Sequence, residues 1–329
     1  RQVIKKNQKL MDEKNIINYL GKLAKNNPSA LQLNDDIFFD KKKEIAISVD
    51  TYNEGIHFPK SPKLDLLIKK IIRSSISDLI CKGVKPKYYF ISFTSPKKSL
   101  NKSNILKIIN SLREEQKKYK IKISGGDLTN GNFLSFTIIS LGHTSKIIKR
   151  NQVKFNDDIY ISGNIGDSYL GLKFLKKKIK KFSLYEKNFF LKKYYLPDIP
   201  IKICELLKKF ANSSIDISDG IIEDLRNMIN KQKYKYKVNI DLIPVSKEFR
   251  SIIEKNNFTI QKNLFNGDDY QVIFTASKKD RKKIKKYAKK LNQKITIIGQ
   301  IIKNNTRNIL LKDGRPLKMS NFKGYRHTF

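Results

Sequence analysis

Asp216 and Asp219, three residues apart in the run Ser213-Ser214-Ile215-Asp216-Ile217-Ser218-Asp219-Gly220, have the type and spacing to hold a divalent cation against phosphate oxygens. The run leads into Ile221, Ile222, Leu225, Met228 and Ile229, whose spacing predicts a helix starting near Ser218 to Gly220. Both acids therefore stand at the mouth of a strand-to-helix turn, where free backbone N–H groups favour anions. A plainer use is open as well, because Ser and Asp at such turns also cap helices. Acids are scarce in this chain, 30 Asp and Glu against 69 Lys and Arg, so it matters that others fall at comparable places. Asp36 closes Asn34-Asp35-Asp36 just before the apolar run Ile37-Phe38-Phe39, and Asp50 follows the strand predicted over 44–49. Asp127 follows Gly125-Gly126, where two residues without side chains would let backbone approach a phosphate, or would simply make a tight turn. Asp78 lies near the C-terminal end of a predicted helix, a poor place for an acid against the helix dipole, so it needs another reason to be there.

The elements that must position these acids follow from periodicity. Apolar residues at helical spacing predict helices over 16–23, 62–82 and around 105–112, with strands at 88–93, 121–124 and 133–141. A second half begins near Lys146. It has a strand at 158–162, the turn Gly163-Asn164-Ile165-Gly166-Asp167-Ser168 with a helix after it, and a basic, solvated stretch over 176–193. Further on come a strand at 238–243, a helix around 249–253, and Asn266-Gly267-Asp268-Asp269-Tyr270 opening a strand at 271–275. A Lys-rich helix over 278–291 and a strand at 295–298 precede the tail that carries Tyr325. The Gly-Lys-Ser/Thr ending of a P-loop occurs nowhere, which argues against a Walker-type ATPase. The fold class is α/β, in the mixed α+β sense, with two domains at 1–145 and 146–329. Acids gathered at strand ends are where such folds build ligand sites. Several Mg²⁺ ions carrying a nucleoside triphosphate would account for so many of them.

Composition bounds the alternatives. The 329 residues, 39% hydrophobic, suffice for two cores. Cys81 and Cys204 lack paired spacing, so neither a disulfide framework nor a zinc site is indicated, and a reducing, cytoplasmic setting fits. No apolar stretch approaches the length of a membrane span, so a soluble protein is expected. Met11 would make a natural start, and the first ten residues read as an upstream extension. The formal charge of +39 invites a nucleic-acid reading. Its Lys residues are spread along the whole length, however, and no recognition motif accompanies them, so non-specific, salt-sensitive binding is all that is expected.

In order, Asn34-Asp35-Asp36, Ser48-Val49-Asp50-Thr51 with Glu54-Gly55-Ile56-His57-Phe58, Ser77-Asp78-Leu79, Gly125-Gly126-Asp127, Asp216-Ile217-Ser218-Asp219-Gly220 and Asp268-Asp269-Tyr270 resemble the motifs of the thiamine-monophosphate kinases. That family shares a superfamily with aminoimidazole ribonucleotide synthetase. The resemblance runs from about Met11 to Phe329. It implies a PurM-like fold, with an N-terminal sheet domain that pairs in a homodimer and a C-terminal α/β domain that closes the active site. It also implies a transferase of thiamine diphosphate biosynthesis, an ATP-dependent kinase acting on thiamine monophosphate in the cytoplasm. Magnesium is implied at Asp36, Ser48, Val49 through its backbone oxygen, Asp50, Asp78, Asp127, Asp216 and Asp219. ATP is implied at Gly126, Asp127, Arg150 and Ser218, and the substrate at His57, Asp268 and Tyr325. Asp268 stands where the family usually has Glu, and Asn34 where it usually has Gly. No general base is assigned, because an ionised phosphate is already a nucleophile. The rival readings are another ATP-using member of the superfamily with a different acceptor, and a basic nucleic-acid-binding protein.

Overall fold

The computed structural model describes residues 13–303 and 307–317, so the proposed extension at 1–10 and Tyr325 lie outside the described residues. The first half contains α1 (Glu13–Leu23), β1 (Phe38–Asp40), β2 (Ile45–Asn53), α2 (Leu64–Cys81), β3 (Pro86–Ser95), α3 (Lys102–Tyr119), β4 (Lys122–Asn130) and β5 (Ser135–His143). Its strands form a sheet in the order β1-β2-β5-β3-β4, antiparallel except for the β3–β4 pair. The second half runs β6 (Asp158–Ser162), α4 (Asp167–Leu175), α5 (Leu184–Tyr195), α6 (Ile203–Phe210), β7 (Ala211–Asp216), α7 (Ile221–Met228) and β8 (Lys235–Asn239). It continues with α8 (Lys247–Lys255), α9 (Gln261–Leu264), β9 (Val272–Ala276), α10 (Arg281–Lys290), β10 (Ile295–Ile302), β11 (Ile309–Lys312) and β12 (Arg315–Pro316). Its sheet has the order β12-β11-β8-β10-β6-β9-β7. The class is the expected mixture of two sheets and their helices.

Helix α2 explains how the halves meet. Leu67, Ile68, Ile71, Ile72, Ile76 and Ile80 recur at helical spacing and are fully buried, and a helix apolar over so wide an arc must be covered on more than one side. It packs on β2 and β5 of the first sheet and on β7, α5 and α6 of the second half. One continuous core joins Ile68 and Phe136 to Ile203 and Phe274. Gly83, at φ 78°, ends the helix, and the N–H groups of Gly83 and Val84 return to the carbonyls of Ile80 and Leu79. Burial extends to its cations, which are paired accordingly. The Arg73 guanidinium forks onto Glu115 with two contacts of 2.8 Å.

Several elements differ from the sequence expectation, each for a local reason. Strand β2 does not stop before Asp50 but pairs with β5 through Asn53, so Asp50 lies inside a strand. Ala46, Ser48 and Tyr52 alternate inward, and the two-residue period puts Asp50 on their face, toward α2. Gly125 and Gly126 are not a turn; β4 runs through them. A Cβ at Gly126, at φ 156°, would sit 1.8 Å from the Ile91 carbonyl oxygen, so glycine is demanded by close β3–β4 pairing beside a register shift. The basic stretch contains α5, opened by a capping box in which Ser183 and Glu186 satisfy each other's backbone N–H groups. The strand expected at 238–243 lies earlier, since Asn239 accepts a hydrogen bond from the Asp241 N–H and turns the chain.

Candidate active site

Between the two sheets opens a cavity of about 430 Å³. Its lining includes the acids Asp50, Asp78, Asp216 and Asp219 together with Tyr52, His57, Tyr169, Leu172, Asp268 and Tyr270. The acids come from four elements: β2, α2, the end of β7 and the β7–α7 turn. Asp36 does not line the cavity, but one carboxylate oxygen from each of Asp36, Asp78 and Asp216 lies within 4.8 Å of the others. This donor set is all oxygen, which suits a hard cation such as Mg²⁺ better than a softer metal.

The turn settles one of the open alternatives. Helix α7 starts at Ile221, and its free N–H groups are not capped by Asp216 or Asp219. Asp224, within the helix, reaches back to accept from the backbone N–H of Asp219 at 3.2 Å and of Gly220 at 2.9 Å. Asp219 is thereby left facing the cavity. Asp216 is buried and accepts a 2.5 Å hydrogen bond from the Ser77 hydroxyl of α2.

So many acids in one place repel each other. Burial, then Asp216, pushes the Asp50 carboxyl up to about 7, against a hydrogen bond from Tyr52. Burial, then Asp216, pushes Asp219 up to about 7 as well. Asp78 is raised well above the carboxylate range by burial and by Asp50 and Asp216, with Lys82 opposing. Such shifts concentrate at functional sites. Their sign is testable. Between the usual carboxylate range near 4 and about 7, the folded chain keeps protons that the unfolded chain has released, so stability is lost as pH rises through that window. The metal-free protein is expected to melt lower at pH 8 than at pH 5.5, and Mg²⁺ to raise the melting temperature more at pH 8. Equal Mg²⁺ gains at the two pH values would show that these acids do not bind the ion.

Asp268, also in the lining, takes a left-handed backbone conformation, φ 76°, and its carboxylate is held on both sides. Lys70 of α2 pairs with one oxygen at 2.7 Å, and the Tyr270 hydroxyl donates to the other at 2.8 Å. His57 accepts a 2.9 Å hydrogen bond from the Asn53 N–H and meets Tyr52 edge-on. Asp269 turns away and takes the N–H of Gly166 at 2.8 Å, in the glycine-bearing turn before α4.

Ser218 and Val49 also line the cavity, with Val49 61% exposed. Other expected residues lie elsewhere. Ser48 is buried, and its hydroxyl donates to the Ser75 carbonyl. Arg150 does not reach into open space; its guanidinium grips Asp36, and its backbone N–H donates to Asp35. Gly126 and Asp127 lie on β4, a sheet edge exposed along its whole length, and do not line the cavity. Sequence reasoning missed Lys70, Ser74, Ser77 and Lys82. They share one face of α2 with Asp78, at steps of three and four residues, and a polar stripe on a helix otherwise so apolar was the available signal.

Residues 31–144 match the family described as AIR synthase related protein, N-terminal domain, and residues 159–312 match its C-terminal domain. The thiamine-monophosphate kinase of Buchnera aphidicola subsp. Schizaphis graminum is 36% identical over 79% of this chain and 80% of its own length. The chain belongs to the thiamine-monophosphate kinase family. The family's member from Haemophilus influenzae is 30% identical over 90% of this chain and 91% of its own. Among solved structures, AaThiL complexed with AMPPCP and TMP superposes with a TM-score of 0.83 at 24% identity, covering 96% of this chain and 97% of that one. The thiamine monophosphate kinase from Stenotrophomonas maltophilia gives 0.73 at 22% identity over 92% and 96%. These superpositions establish the shared fold.

Proposed function

We propose that this protein transfers the γ-phosphoryl group of ATP to thiamine monophosphate, giving thiamine diphosphate and ADP. The observation that carries this reading is the mixed lining of the cavity. Carboxylates suited to metal-bound phosphates share one cavity with aromatic side chains and Asp268, which suit a flat organic cation. Family membership and the AMPPCP and TMP complex of a protein of the same fold support it. A phosphate oxygen of the substrate attacks the γ-phosphorus, and the bond to the β–γ bridging oxygen breaks. The substrate phosphate, with a pKa near 6, is already ionised at neutral pH and needs no strong base. Magnesium, when bound, neutralises phosphate charge and aligns the two phosphates. Asp78 and Asp216, with Asp50 and Asp219 beside them, would hold it, and Ser48, the Val49 backbone oxygen and Asp36 complete the proposed set.

Ser218 and Arg150 are proposed for the ATP side, His57, Asp268 and Tyr325 for the thiamine side. Gly126 and Asp127, on the exposed edge strand, fit a face completed by a second copy of the chain, which makes a homodimer part of the proposal. The division of the chain into units at 1–145 and 146–329 and the cytoplasmic setting also stand as proposals; no helix among the described residues is long and apolar enough to cross a membrane. Magnesium-dependent conversion of thiamine monophosphate in the presence of ATP is the decisive assay, with nucleic-acid binding as the competing measurement. Transfer is expected to be direct, because both cysteines are buried and, among the described residues lining the cavity, no nucleophile stands beside an activating base. Incubation with γ-labelled ATP alone should leave the protein unlabelled; a stoichiometric phosphoenzyme would require a two-step mechanism instead.

A further inference from the structure

Strand β2 carries Asp50, Tyr52 and Asn53, so a single extended element reaches from the acids to the turn that holds His57. Asp50 and Tyr52 stand two residues apart and share a face of the strand. Tyr52 is 8% exposed, and its hydroxyl accepts a 2.7 Å hydrogen bond from Ser74 of α2. With Ser74 donating, the single phenolic hydrogen is left for Asp50, to which it donates. Ser77, three residues further along α2, donates directly to Asp216. The helix therefore reaches Asp216 by one hydroxyl and Asp50 by a second, with Tyr52 between. The ring of the same tyrosine stands edge-on to His57, with centroids 6.1 Å apart and planes at 75°. His57 is fixed on another side by the Asn53 N–H, 2.9 Å from Nδ1. Asp50, Tyr52, His57 and Ser74 all line the same cavity.

We propose that Tyr52 is a positioning residue for both partners of the reaction: its hydroxyl directs Asp50 toward the metal-bound phosphates, and its ring holds His57 in place for the thiamine portion of the substrate. Removing the hydrogen-bond partner of a metal-binding carboxylate weakens metal affinity roughly tenfold or more. An aromatic edge against the imidazole restrains its rotation without occupying its nitrogens. The inference rests on the magnesium and thiamine monophosphate reading above, and adds to it a residue that acts through Asp50 and His57.

The test compares two substitutions. Tyr52→Phe removes only the hydroxyl, and Ser74 keeps the Lys70 carbonyl, at 3.1 Å, as an acceptor, so no donor is stranded. Tyr52→Leu removes the ring as well. Mn²⁺ binding with and without AMPPCP is followed by electron paramagnetic resonance, and steady-state kinetics at saturating Mg²⁺ give KM for thiamine monophosphate. Both variants are expected to bind Mn²⁺ about tenfold more weakly than the wild type. Tyr52→Phe should keep the wild-type KM for thiamine monophosphate, and Tyr52→Leu should raise it about fivefold, the worth of one aromatic pair. In a His57→Ala background, Tyr52→Leu should add nothing to KM, because the ring acts through the imidazole. If Tyr52→Leu does not fold, Tyr52→Met fills more of the same space without an aromatic edge. Wild-type Mn²⁺ binding by folded Tyr52→Phe overturns the proposal. So does an unchanged KM in Tyr52→Leu, or a rise that persists in full without His57, which would make Tyr52 a direct substrate contact. When the wild type binds Mn²⁺ and phosphorylates thiamine monophosphate, those outcomes sink this proposal alone. Wild-type protein that binds no Mn²⁺ in either condition removes the magnesium reading, and this inference with it.

Discussion

Asn in place of Asp216 is expected to lower kcat/KM for phosphoryl transfer roughly a thousandfold, about the effect of removing one well-placed charge from a transition state, while making the metal-free protein more stable. Both halves follow from one arrangement. Asp216 is 3% exposed, and its charge is among the causes that raise Asp50, Asp78, Asp219 and Asp224. Each of those groups is spared that repulsion in the variant. Asn keeps the volume and can still accept the hydrogen bond from Ser77, so the gain is on the order of 1 kcal/mol, typical when a strained functional site is relaxed. Calorimetry of metal-free protein and steady-state kinetics on the same preparation measure the two effects. Near-normal turnover would remove Asp216 from metal binding, and a lowered melting temperature would make it a structural residue of the β7–α7 turn.

The same crowding explains which parts of the site were legible in the sequence. Asp216, Asp219 and Asp78 could be singled out because each breaks a local rule: two acids at one turn, and an acid at the wrong end of a helix. Local rules also gave α2, α7 and most strands, since their periodicity is long and regular. They failed where the decisive contact is distant in sequence. Whether Asp219 caps α7 depends on Asp224 reaching back, and either residue type fits either role. Gly125-Gly126 reads as a turn because nothing local reveals that the Ile91 carbonyl will pass where a Cβ would stand. Lys70 and Lys82 look like two more lysines in a chain with 69 basic residues. Only packing α2 between both halves shows that they are buried and matched. The α5 capping box, by contrast, was visible as Ser183-Leu184-Tyr185-Glu186 and was hidden merely by the lysines around it.

Asp268→Ala is expected to raise KM for thiamine monophosphate about tenfold, the worth of one charge-assisted hydrogen bond, with KM for ATP unchanged. The structure shows that this substitution alone does not isolate the effect. Asp268 is the carboxylate partner of Lys70, whose side chain is 3% exposed and whose ammonium lies 3.8 Å from the centre of the Tyr194 ring. Burial pulls the Lys70 pKa down and Asp268 opposes it, so an Ala strands a buried cation. That costs about 3 kcal/mol of stability and places an unshared positive charge beside the site proposed for a cationic thiazolium ring. Part of any rise in KM would then come from Lys70. Pairing Asp268→Asn with Lys70→Met separates the two causes. The double variant removes one charge of each sign, and its stability should return toward that of the wild type. If Asp268 meets the substrate cation, KM for thiamine monophosphate stays about tenfold high in the double variant, because no carboxylate remains to meet it. If Asp268 serves only to neutralise Lys70, the double variant binds substrate as the wild type does, and the contact is withdrawn. The expected outcome is the first. Both side chains line the cavity, but Asp268 is 25% exposed and Lys70 only 3%, so the carboxylate is the more accessible of the pair. Lys70 and Tyr270 therefore fix the direction of this carboxylate, one methylene shorter than the Glu the family resemblance implies, and the proposed substrate contact would use its remaining lone pairs.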